Sequence, residues 1–246
     1  MKRAATVIVL LLLVGMTAIG QYLLKARRPG AESAVAEGVI AALGGFRSLA
    51  AEVIWFRADR LQDEGRYVEM AQLASLLTKM EPHTPEVWTY AAWNLSYNIS
   101  VMMPTFEDRW RWVLAGMRLL RDEGLPLNPN NSEIYRELAW LFQLKLGADL
   151  DSAAELYREK WRAIVTDVKA RNAWAELKMD PARMAYIEKH TGFNDWTRPS
   201  LSAIYWAARG LEFARDNEKG FLQSIIRQST VMYKKAVSKE KKEKES

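Results

Sequence analysis

From residue 31 onward, apolar positions recur at three- and four-residue spacing, and the two-residue alternation of a half-buried strand is hard to find. That period predicts helices over 32–42, 46–64, 67–80, 85–102, 106–123, 132–146, 152–178, 181–190, 200–216 and 218–237, an all-α body. Start signals follow each break. Thr84-Pro85-Glu86 supplies a cap, a first-position proline and a first-turn acid. Thr105 with Asp108 reads as a capping box, and Ser132 as a simple cap. Asp151, or Ser152 boxed with Glu155, begins the next helix. Asp180-Pro181 opens a short helix that Gly192 closes, and Pro199-Ser200 opens another.

Ahead of this body lies Ala4 to Leu24, a run of 21 residues with no charge. As a helix rising ~1.5 Å per residue it spans a hydrocarbon core of ~30 Å. Two readings fit: an uncleaved anchor flanked by Met-Lys-Arg and Lys-Ala-Arg-Arg, or a signal peptide cut after Ala18-Ile19-Gly20. The anchor reading places a single pass in the cytoplasmic membrane, amino terminus inside and body on the outer side. The chain then divides into the anchor at 1–28, a linker with a short helix at 29–45, a helical domain at 46–216, and a final helix with a charged tail at 217–246.

The 34-residue step from Ile54 to Trp88 gives the helices a larger period. Ile54, Ala58, Leu61, Gly65, Tyr67 and Pro82 make one unit; Trp88, Ala92 and Leu95 begin a second; Tyr135, Ala139 and Phe142 a third; Ile204, Ala208 and Leu211 a weaker fourth. These residues resemble tetratricopeptide repeats over roughly 52–216, in which stacked helix pairs cover apolar faces that no pair covers alone. The match departs from the family at Met70 and Leu77, and the second unit is 13 residues too long between Pro82 and Pro129. An irregular all-helical domain is the alternative. The phrases FRSLAAEVIWFRADRL, VWTYAAWNLSYNIS, RDEGLPLNPNNSEIYRELAWLFQ and DWTRPSLSAIYWAARGLEFA also resemble a group of membrane-anchored bacterial helical-repeat proteins. That second resemblance implies no activity.

Charge changes the picture little. The first 28 residues carry +5 and the last thirteen +3, so within a total of +5 the body between them is slightly acidic. A pI of about 9.3 therefore reflects the ends, which suits anionic lipid better than nucleic acid. The absence of cysteine removes thiol nucleophiles and thiolate metal sites. His83 and His190, far apart in the chain, make no zinc pattern, and no hydrolase, phosphate-loop or dinucleotide motif is present. Neither cofactor nor metal is expected.

What remains is binding. The tetratricopeptide resemblance implies a groove lined by the first helix of each unit. Carried across, that pattern selects Glu52, Trp55 and Asp59, then Trp93, Ser96 and Tyr97, then Arg136, Trp140 and Gln143, and finally Tyr205 and Arg209. Asn94 and Asn98 lie one turn apart beside Trp93. Rings and amides of this kind clasp an extended peptide or partner helix; equally, they pack one unit on the next. The expectation is a non-enzymatic, membrane-anchored scaffold that binds a protein partner in an envelope complex. The alternatives are an enzyme or enzyme subunit binding cell-wall glycan or lipid, and a structural subunit of a large membrane machine.

Overall fold

The computed structural model describes residues 47–245; the anchor segment and the helix expected over 32–42 lie outside them. Among the described residues there are nine α-helices and no strand. We number them α1 (Arg47–Asp63), α2 (Tyr67–Met80), α3 (from Pro85), α4 (from Phe106), α5 (from Ser132), α6 (Ala154–Ala170), α7 (Pro181–Thr191), α8 (Pro199–Leu211) and α9 (Asp216–Glu245). Three of them change winding midway. α3 passes from Pro85–Trp93 into a π turn, Asn94–Ile99, and ends with Ser100–Met102. α4 runs Phe106–Arg118, then a π turn at Leu119–Gly124, then Leu125–Leu127; α5 runs Ser132–Trp140 and then a π turn, Leu141–Leu146. Among the described residues no helix is long and apolar enough to cross a membrane.

The caps show why the helices begin where they do. The Thr105 hydroxyl accepts from the Asp108 N–H, and Asp180 accepts from Ala182 N. The α5 cap is Asn131, not Ser132: its oxygen accepts from Glu133 N and Ile134 N, which frees the Ser132 hydroxyl to donate to Glu218. Thr84 makes no cap bond, because its hydroxyl turns back to Glu81. The helix expected over 152–178 is broken: Asn172 adopts φ 52°, and a short 3-10 turn, Trp174–Leu177, follows. α8 stops at Leu211, short of the expected 216, and α9 carries helix through the lysine-rich tail to Glu245.

Most neighbouring helices pack in sequence, but the second-strongest junction skips two helices, from α5 to α8. α1 meets α2, α2 meets α3, α3 meets both α4 and α5, α5 meets α8, and α8 meets α9. The first hairpin closes on Ala58, Leu61 and Met70, and on Ala51, Leu77, Met80 and Val87. The rest share one large core, in which ten of the thirteen residues of α8 are buried. The turns that separate the helix pairs are themselves joined. The Pro82 carbonyl accepts from Trp88 Nε1 and from Asn128 Nδ2, both at 2.9 Å, and His83 Nδ1 lies 3.0 Å from the Leu127 carbonyl. Aromatic rings carry the packing outward in a chain through Trp174, Trp196, Tyr205, Trp206, Tyr135 and Phe213, with centroid separations from 5.0 to 6.4 Å. These edge and offset arrangements suit the ring quadrupoles.

α3 and α4 approach so closely that one position admits no side chain. A Cβ at Gly116 would run into the Ser96 side chain and come within 2.8 Å of the Ala92 carbonyl oxygen. Gly220, on the exposed face of α9, has nothing within 4 Å. The same substitution therefore has opposite expected signs: Gly116→Ala lowers stability by about 1–3 kcal/mol, whereas Gly220→Ala raises it by about 0.5–1 kcal/mol. Thermal unfolding of the two variants beside the parent checks both signs.

Candidate functional site

α5 presents Glu133, Arg136, Glu137 and Trp140 along one face, at the spacing that lines up side chains on a helix. Opposite them stand Arg215, Asn217, Glu218 and Phe221 from the start of α9, and the two sets enclose a groove of about 460 Å³. Trp140 and Phe221 form its apolar wall, with ring centroids 5.1 Å apart, and the Arg136 guanidinium lies 5.9 Å from the Phe221 ring centre. Glu218 fixes the far side. It accepts from Arg215 and from Ser132, both at 2.7 Å, and the Arg215 hydrogen bond leads the influences that hold its carboxyl well below the ordinary range.

Glu137 differs from its neighbours. One carboxylate oxygen is buried without a hydrogen-bond partner, and burial, only partly opposed by Arg136, pushes its pKa up to about 7. Its charge reaches Tyr97 of α3, whose buried hydroxyl also lacks a partner and whose pKa is raised, first by burial and then by Glu137. Tyr97 in turn stacks with Trp93 at 6.2 Å, and Trp93 is 37% exposed. Trp93, Tyr97, Arg136 and Trp140 are thus the candidates that border solvent near α5.

The others part company. Trp55 is half-buried against Tyr90, ring centroids 4.7 Å apart, while Glu52 and Asp59 are exposed on α1. Asn94, Ser96 and Gln143 are wholly interior. Gln143 donates to the Ile225 carbonyl and to Ser229, tying α5 to α9; Asn94 reaches the Tyr67 carbonyl and accepts from Asn98. The reason is local. Ser96 and Gln143 fall inside π turns, where i→i+5 bonding winds more residues into each turn, so the α-helical period no longer says which way a side chain faces. Tyr205 is buried, its hydroxyl accepting from Asp180 N, and it lines a second pocket together with Arg209. The thirteen candidates therefore do not form one continuous groove.

Two clusters went unseen in the sequence. Asp151 accepts from Lys145 at 2.6 Å, from Tyr157 at 3.1 Å and from Ala153 N at 2.9 Å, with Arg109 at 3.4 Å. Burial alone raises its carboxyl, but these bonds carry it below the ordinary value. The Lys145 ammonium lies 5.2 and 5.8 Å from the Tyr97 and Tyr157 ring centres. This largely buried knot joins α4, α5 and α6. The second cluster is the pocket of Tyr205 and Arg209, where Arg121, Lys178 and Arg183 converge. Among the described residues no group of His, Cys, Asp or Glu is placed to hold a metal ion. Comparison of the chain with protein-family models, with curated proteins and with solved structures returns no match.

The half-buried carboxyl of this groove titrates. Glu137 has an ordinary pKa of 4.5 and a value of about 7 in the fold, so the folded state holds its proton more tightly than the unfolded chain does. The stability tied to that proton is complete below 4.5 and is lost as pH rises through 7. Glu137→Gln removes the titration, and at pH 8 the variant is expected to be about 3 kcal/mol more stable than the parent. At pH 4 the two should agree closely. Denaturant unfolding at both pH values measures the difference.

Proposed function

We propose that this chain is a membrane-anchored helical-repeat adaptor that holds a protein partner in an envelope complex, by shape and aromatic contact and without chemistry of its own. The observation that carries the reading is the α5–α9 groove, where Trp140 and Phe221 supply apolar area and Arg136 and Glu137 supply polar handles. Large rings with a few polar groups around them are how protein interfaces concentrate binding energy. A partner segment with an apolar side chain for the ring wall and a lysine or arginine for Glu137 complements it, because a cation there relieves the unpartnered Glu137 oxygen.

The tetratricopeptide-like reading is part of the same proposal. α1/α2, α3/α4, α5/α6 and α8/α9 serve as four pairs, with the 3-10 turn and α7 inserted between the third and fourth. Supporting it, the helices that begin the second, third and fourth units lie side by side, α3 on α5 and α5 on α8. The anchor at 4–24 tethers the array, with the body on the outer side of the cytoplasmic membrane.

A photo-crosslinking amino acid at Phe221 of the full chain, in its own membrane, tests the adaptor. A discrete protein adduct is expected at Phe221, none at exposed Glu159 on α6, and loss of the adduct when Trp140→Ala is added. Adducts of equal yield at both positions, or an adduct indifferent to Trp140→Ala, would exclude the groove as the binding surface.

A further inference from the structure

On the other side of α5 lies a pocket of about 290 Å³ with a different character. Its wall is aromatic: Tyr135 from α5, and Tyr205 and Trp206 from α8. Around it stand four cations from four separate stretches of chain: Arg121 in the π turn of α4, Lys178 after the 3-10 turn, Arg183 on α7 and Arg209 on α8. Cations that merely coat a surface are mobile and solvated. These arginines are held.

Arg209 pairs with Glu212, and its guanidinium lies 5.8 Å from the Tyr135 ring centre and 5.2 Å from that of Phe213. Arg183 pairs with the other oxygen of the same Glu212 carboxylate. Arg121, nearly buried, is fixed by paired bonds from Nε and Nη2 to Asp122 at 2.7 and 2.8 Å. Each guanidinium has five N–H donors in a rigid fork, so each keeps donors beyond those its carboxylate uses. Charge points the same way. Three acids stand near the four cations, namely Asp122, Glu212 and Asp180, and Asp180 is engaged in capping α7. One positive charge is left over, and Lys178, exposed at the rim, has no carboxylate partner among these acids.

We propose that this pocket binds a compact ligand that ends in an oxyanion, its oxygens taken by the free donors of Arg121, Arg183 and Arg209. Its flat or apolar part lies against Tyr205 and Trp206. A phosphate monoester and a carboxylate share this chemistry; the phosphate, with three terminal oxygens for three guanidiniums and a charge approaching −2, is the better match. Lys178 closes the rim as a point charge. The site needs nothing from the adaptor reading and stands without it.

The probes are phenyl phosphate, benzoate, inorganic phosphate and benzyl alcohol, titrated into the full chain in detergent at matched ionic strength and followed by calorimetry and by thermal shift. Saturable binding is expected in the order phenyl phosphate, benzoate, inorganic phosphate, with none for benzyl alcohol. A benzoate response above that of phenyl phosphate assigns the site to carboxylates and overturns the phosphate preference. Arg209→Gln and Arg183→Gln should each weaken phenyl phosphate by about tenfold or more. Lys178→Gln, which disturbs no bond within the fold, should weaken it severalfold with the unliganded melting temperature unchanged. Should all four probes act alike, or the Lys178→Gln and Arg183→Gln proteins bind phenyl phosphate as the parent does, the pocket is not an oxyanion site.

Discussion

α8 has almost no face turned to water, and the whole carboxyl-terminal half is arranged to keep it so. Leu201, Ile204, Tyr205 and Trp206 are each at most 3% exposed, on three sides of one helix. Burial of a single large apolar side chain contributes roughly 1.5–3 kcal/mol, so no pair of helices could leave such a helix at an edge. α5 covers one side and α9 another, while the stretch with the 3-10 turn and α7 brings Trp174 and Trp196. Gly210 lets the covering helices close in: a Cβ there would meet Tyr135 Cβ at 3.0 Å and Leu222 at 3.1 Å. The two pockets follow from this arrangement. They are the seams where helices laid against α8 and α5 fail to meet completely.

The buried polar groups set how those seams are held. Lys145, Asp151 and Tyr157 satisfy one another in the interior, and removal of one partner would leave an uncompensated charge there. Gln143 plays a quieter role, joining two helices through hydrogen bonds to Ile225 and Ser229. At the groove the satisfaction is incomplete. Glu137 and Tyr97 keep buried oxygens without partners, and incompleteness of that kind is where a ligand has most to offer.

Much of this was legible in the sequence, and the parts that were not share a cause. Helical period and caps located α2 at Tyr67–Met80 and placed the starts of α3, α4, α5 and α7. Pro82, read as the end of the first unit, proves to accept a hydrogen bond from Asn128 at the next inter-helix turn. The period failed where the backbone left the α-helix. Ser96 and Gln143 were assigned outward and lie inside π turns, and Asn172 in the left-handed region broke a helix that looked continuous. Distance in sequence hid the rest. Arg121, Lys178, Arg183 and Arg209 occupy four elements with no common spacing, so no reading of period brings them to one pocket. Arg209 alone was singled out, as a groove residue, and only the packing of α7 on the core gives it company.

The central claim is the close seating of α8 on α5, since these two helices wall the oxyanion pocket and α9, packed on α8, closes the groove against α5. The chain has no cysteine, which makes an engineered pair a clean reporter. Tyr135→Cys with Gly210→Cys places two thiols on Cβ atoms within the reach of a disulfide, allowing for a slight relaxation from 3.0 Å. Mild oxidation of the folded full chain in membranes should close an intramolecular disulfide in this pair and not in Tyr135→Cys with Gly220→Cys. Free thiols in the first pair while the protein remains helical, or equal oxidation of both pairs, would contradict the packing on which the account rests.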